Sequence, residues 1–71
     1  MVPGEMMIVK ADTLTLWNCH IDDYMEGKPW LITAGTRVLV IQNIAGEKEL
    51  LVLANGLVGY VHGGAKNWTR L

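Results

Sequence analysis

Asn55-Gly56 stands between two apolar runs, Glu49 to Ala54 and Leu57 to His62, and this commits the middle of the chain to an antiparallel hairpin. Both residues tolerate the positive φ of a type I′ turn, whose twist matches that of the strands it joins. A chain whose centre is fixed in this way must build the remainder of its fold around a sheet.

The flanking segments agree. Residues 6–10 form a short apolar run, and after Ala11-Asp12 the stretch Leu14-Thr15-Leu16-Trp17 alternates with the period of a half-buried strand. Residues 19–29 are the longest polar interval and read as an extended loop. Trp30-Leu31-Ile32 returns to extended structure. Ala34-Gly35-Thr36 turns tightly into residues 37–42, which are rich in β-branched side chains. Residues 45–48 make a second turn, residues 63–67 interrupt the pattern, and Trp68 to Leu71 give a last short strand. No window combines helical spacing of apolar residues with end caps.

Five or six short strands without a crossover helix imply an all-β antiparallel domain. Its 71 residues leave room for one domain, residues 1–71, with 1–5 expected disordered or extended. Closing the sheet into a barrel would remove its adhesive edges. A core this small rarely supplies more than ~3–5 kcal/mol, and a single cysteine, Cys19, excludes an intrachain disulfide. The chain is 51% apolar before its eight glycines are counted, against about 45–50% with glycine included in ordinary domains. That surplus favours self-association.

Several residues also resemble a known family. Gly35-Thr36-Arg37-Val38-Leu39-Val40, the Asn55-Gly56 hairpin, and Gly59-Tyr60-Val61-His62 with the terminal Leu71 are similar to a bacterial Src-homology-3 domain. Val9-Lys10-Ala11 and Leu14-Thr15-Leu16 are similar to the first strand of that group. The resemblance implies a small Src-homology-3-like barrel with residues 19–29 as its long loop, 45–48 as the short loop beside it, and 63–67 as one 3₁₀ turn. It further implies binding of peptides, cell-wall peptides or other proteins in a groove between the two loops and that turn. Glu49 stands where peptide-binding members carry a groove tryptophan, His62 where they carry a proline, and 63–67 has no tyrosine. These departures point away from polyproline ligands.

The central strands carry the sharpest functional signal. If Val38 and Val40 point inward, Leu39 and Ile41 point outward; if Leu50 and Val52 point inward, so do Leu51 and Leu53 outward. Leu39, Ile41, Leu51 and Leu53 would then form an exposed apolar patch of the kind that marks interfaces. A candidate ligand groove takes in Trp17, Asp22, Asp23, Tyr24, Tyr60, His62 and Trp68, the tryptophans as anchors and the acidic loop facing a basic partner. The plainer readings are that the tryptophans fill the barrel and the acidic loop is solvated.

Catalysis and metal binding find little support. Cys19 and His20 are adjacent, so in a strand they face opposite ways and cannot share an ion. There is no serine for a triad, and a thiol on a barrel without a cleft stays unactivated. The glycines precede no helix that would hold a phosphate. No enzyme, cofactor or metal site is expected.

A net charge of −1 disfavours nucleic acid. The alternative of a nucleic-acid barrel would place bases on Trp17, Tyr24 and Tyr60, and phosphates on Lys10, Lys28, Arg37 and Lys66. The first residues lack a secretory signal, and no stretch is long and apolar enough for a membrane, so a cytoplasmic protein is expected. The favoured reading is a non-catalytic protein-interaction module, a homo-oligomer or a binder of a protein or peptide partner.

Overall fold

Strict alternation along the strands decides which side chains meet. The computed structural model describes residues 2–20, 27–46 and 48–71. Its strands are β1 (Met6–Val9), β2 (Thr13–Trp17), β3 (Pro29–Thr33), β4 (Arg37–Ile44), β5 (Glu49–Ala54), β6 (Leu57–His62) and β7 (Trp68–Arg70), with a 3₁₀ turn over Ala65–Asn67 before β7. Met7 and Val9, Leu14 and Leu16, Val38 and Val40, and Leu50, Val52 and Ala54 recur at every second position, and all are buried. With Ile32, Val61 and Trp68 they form one core.

All pairings among the described residues are antiparallel, and the strand order is β3-β2-β6-β5-β4-β1-β7. This corrects the expectation in two respects. The described residues form seven strands, not five or six, because the opening run pairs with both β4 and β7 and is a strand in its own right. Among the described residues no hydrogen-bonded pairing closes the sheet: it curls into a half-barrel with β3 and β7 at its two ends.

The backbones of β2 and β6 come close where the two strands cross. Those strands share a single register pair, Trp17 opposite Tyr60. At Gly59 the strands approach so closely that an ideal Cβ would lie 2.6 Å from the Trp17 carbonyl oxygen and 2.8 Å from Leu16 Cγ. Only glycine fits that crossing.

The hairpin forms as its sequence dictates. Asn55 and Gly56 have φ of 51° and 79°, the pair of positive values a type I′ turn needs, and Ala54 pairs with Leu57 across it. Residues 2–5, expected to be disordered or extended, instead make a turn bound to β4. The Gly4 N–H donates to the Val40 carbonyl at 2.7 Å, and the Val40 N–H donates to the Glu5 carbonyl at 2.9 Å. Glu5 also accepts an ion pair from Arg70 at 3.2 Å.

Candidate functional site

Two surfaces emerge from this geometry. The first is the outer face of β1, β4, β5 and β6. Register places Met6 opposite Leu39, Leu39 opposite Leu53, and Leu53 opposite Val58, a row of four apolar side chains across four strands. Met6, Leu53 and Val58 are 37%, 38% and 57% exposed, and Leu39 is half-buried. Directly opposed side chains on one face sit within contact distance, so the row is continuous.

The next residues along β4 depart from simple alternation. The register shifts between Val40 and Gln42, leaving Ile41 as the extra residue of a bulge, 39% exposed. Gln42 then faces Leu51, and Leu51 faces Tyr60. The expected quartet Leu39, Ile41, Leu51 and Leu53 thus lies off the core cluster, with Leu39 and Leu51 partly covered. Met6 and Val58 complete the patch, and their signal was the same alternation in the two neighbouring strands.

Toward the other end of β5 the outer face becomes polar. Glu49 is buried, and its Oε1 shares a hydrogen bond with His20 Nδ1 at 3.0 Å. His20 also stacks against Tyr60, with ring centroids 4.3 Å apart and planes tilted by 38°. His20 therefore lies over the sheet at this point. Nearby in the chain, Asn18 is tied to Lys28 by reciprocal bonds: the Lys28 N–H donates to Asn18 Oδ1 at 2.7 Å, and the Asn18 N–H to the Lys28 carbonyl at 3.3 Å. The pairing of His20 with Glu49 had no sequence signal, since 29 residues separate them.

The second surface is a groove of about 730 Å³ lined by Leu14, Gly46, Lys48, His62, Gly64, Lys66 and Asn67. Gly46 and Lys48 lie on one wall, and Lys66 and Asn67 of the 3₁₀ turn on the other. The Gly63 N–H donates to the Lys48 carbonyl at 3.1 Å and ties the two walls together. The Lys10 N–H donates to the Asn67 carbonyl at 2.8 Å and anchors the turn to the end of β1.

No family model, curated protein or solved structure matches this chain.

The predicted groove residues are divided by the fold. Among the described residues of that set, His62 lines the groove. Trp68 is buried in the core, the plainer of the two readings of the tryptophans, and its indole N–H donates to the His62 carbonyl at 3.3 Å. The 3₁₀ turn lays it opposite Val9, which is why a tryptophan three residues from the end of the sequence is covered. Trp17 and Tyr60 pair on the outer face instead, beside His20. Asp22, Asp23 and Tyr24 lie outside the described residues. Trp30 is exposed on the end strand β3.

Among the described residues no three histidine, cysteine or carboxylate side chains come together as a metal site. No helix among them is long and apolar enough to cross a membrane.

Proposed function

We propose that this chain is a non-catalytic interaction module, a small Src-homology-3-like barrel that associates with a second copy of itself through the outer face of β1, β4, β5 and β6. The observation that carries the reading is the uncharged row Met6, Leu39, Leu53 and Val58, flanked by Ile41 and Leu51. A row of one chemical character can pack on its own twofold image, the arrangement of most homodimers. Burying the exposed part of each large side chain contributes about 1 kcal/mol, a fraction of the ~1.5–3 kcal/mol for complete burial. The interface therefore needs the whole face, including the half-buried Leu39 and Leu51.

Sedimentation velocity at micromolar concentration tests the reading. The unaltered chain is expected to sediment as a dimer or larger species. Leu53→Lys places a charge at the centre of the row without entering the core and is expected to sediment as a folded monomer, with an unchanged circular dichroism spectrum. An unaltered chain that is monomeric throughout the micromolar range sinks the proposal.

A further inference from the structure

β3 is one end of the sheet, and among the described residues no strand pairs with its outer edge. Such edges are ordinarily blunted by charges, prolines or bulges. β7, the opposite end, is three residues long and carries Arg70. β3 is five residues long and uncharged, and its register with β2 runs through all five pairs without a shift. Its proline, Pro29, stands at the first position only, and Trp30 and Leu31 are 42% and 69% exposed.

The register decides which backbone groups face that edge. At one end of the β2–β3 ladder the Asn18 N–H donates to the Lys28 carbonyl, and at the other the Ala34 N–H donates to the Asp12 carbonyl. Hydrogen-bonded pairs alternate along an antiparallel ladder, so Trp30 and Ile32 also turn their backbone groups toward β2. Pro29, Leu31 and Thr33 turn theirs outward. Leu31 offers an N–H and a carbonyl, Thr33 an N–H, and Pro29 a carbonyl without an N–H. The Thr33 carbonyl already accepts the Thr36 N–H at 3.1 Å.

This set is complementary to itself. With a second β3 laid antiparallel about a twofold axis at Leu31, Leu31 meets its own copy and exchanges two bonds with it. Thr33 then meets Pro29 of the second copy, and its N–H reaches the proline carbonyl. The bond that proline cannot donate would have gone to the Thr33 carbonyl, the one acceptor already satisfied. No outward backbone group of either strand is left over. The side chains agree, since Trp30 falls opposite Ile32 on the inner face, and aromatic and β-branched residues pair well across strands.

We propose that a second copy of this chain extends the sheet along β3, antiparallel and about a twofold axis at Leu31. This contact is separate from the apolar row of β1, β4, β5 and β6 and does not rest on it. Five residues a side cover far less than the ~1,200 Å² of a stable complex, so the edge alone associates only toward millimolar concentration. A dimer joined through the apolar row carries two such edges, and their pairing extends it beyond two chains.

The test is an amide-resolved NMR dilution series of the Leu53→Lys chain, whose apolar row is disabled, from micromolar to millimolar concentration. Saturable shifts are expected at the Leu31 and Thr33 amides. Adding Leu31→Lys alters a mostly exposed side chain, so the spectrum stays dispersed. It sets like charges opposite each other on the axis and should weaken pairing at least about threefold, as should Leu31→Glu. An equimolar mixture of the Lys and Glu chains sets opposite charges there and should pair at least about threefold more tightly than either alone.

Absence of concentration-dependent shifts up to millimolar, or shifts confined to other residues, overturns the proposal. A mixture no tighter than the separate variants overturns it in favour of a strand other than β3 on the second copy. None of these outcomes bears on sedimentation of the unaltered chain at micromolar concentration, so the edge and the apolar row fail separately.

Discussion

Gly59→Ala is expected to be the most damaging single-methyl change in this protein. The added carbon would sit 2.6 Å from the Trp17 carbonyl oxygen and 2.8 and 2.9 Å from Cγ and Cδ1 of Leu16. Nonbonded carbon contacts settle near 3.5–4.0 Å, so the intrusion is about 1 Å. Neither neighbour can yield cheaply. Leu16 is fully buried, and the oxygen belongs to the backbone of the residue that joins β2 to β6.

Overpacking of this kind costs about 1–3 kcal/mol, and a backbone obstacle puts Gly59→Ala at the upper end. A domain of this size holds only ~3–5 kcal/mol in total. The variant should therefore lose half its stability or more, with Tm falling by about 12 °C or more at ~4–8 °C per kcal/mol. Urea denaturation followed by tryptophan fluorescence, with a thermal melt, measures both. Gly64→Ala is the control, since the nearest atom to its new carbon is Asn67 Nδ2 at 3.8 Å. If Gly59→Ala and Gly64→Ala differ by less than about 0.5 kcal/mol, the close crossing of β2 on β6 is wrong.

Other substitutions separate backbone, core and polar contributions. Gly56→Ala meets no atom within 4 Å, so its cost is only that of φ at +79°, about 1–2 kcal/mol, read from urea denaturation as the lowered midpoint multiplied by m. Leu50→Ala empties a fully buried position at the centre of the sheet and should cost about 2–5 kcal/mol, enough to leave the chain largely unfolded by circular dichroism. His20→Ala removes a hydrogen-bond partner of the buried Glu49 side chain and should cost about 1–3 kcal/mol. A double-mutant cycle with Glu49→Gln should show coupling above about 0.5 kcal/mol, and additive losses would mean that the pair does not form.

What could be read from the sequence was set by local chemistry. Asn55-Gly56 states its own turn, and the alternation of Val38 with Leu39 or Val52 with Leu53 states which side chains face inward once a sheet is assumed. Ile41 was less legible. Its bulge adds a residue to β4 without any glycine to mark it, so the outward position passes on to Gln42. The burial of Trp68 and Glu49 depended on partners far along the chain, Val9 and His20, that no local pattern announces. Strand closure was equally invisible, because whether β3 reaches β7 depends on the accumulated curl of five intervening strands.

The apolar row and the groove divide the length of β5 between them. Leu53 lies near the hairpin end, in the apolar row, while Lys48 precedes Glu49 at the opposite end and opens onto the groove. Five residues of extended chain separate them by about 16 Å. Between them the outer face changes from Leu53 through Leu51 to the Glu49 carboxylate under His20. A charged group buried at that point would be costly for an apolar partner to cover, since desolvating its polar neighbours returns nothing. The polar end therefore limits how far a second copy can spread along the sheet and leaves the groove accessible in the associated state. Leu53→Lys should abolish association at micromolar concentration while leaving the circular dichroism spectrum unchanged; loss of the folded spectrum would mean that the row cannot be altered without the fold.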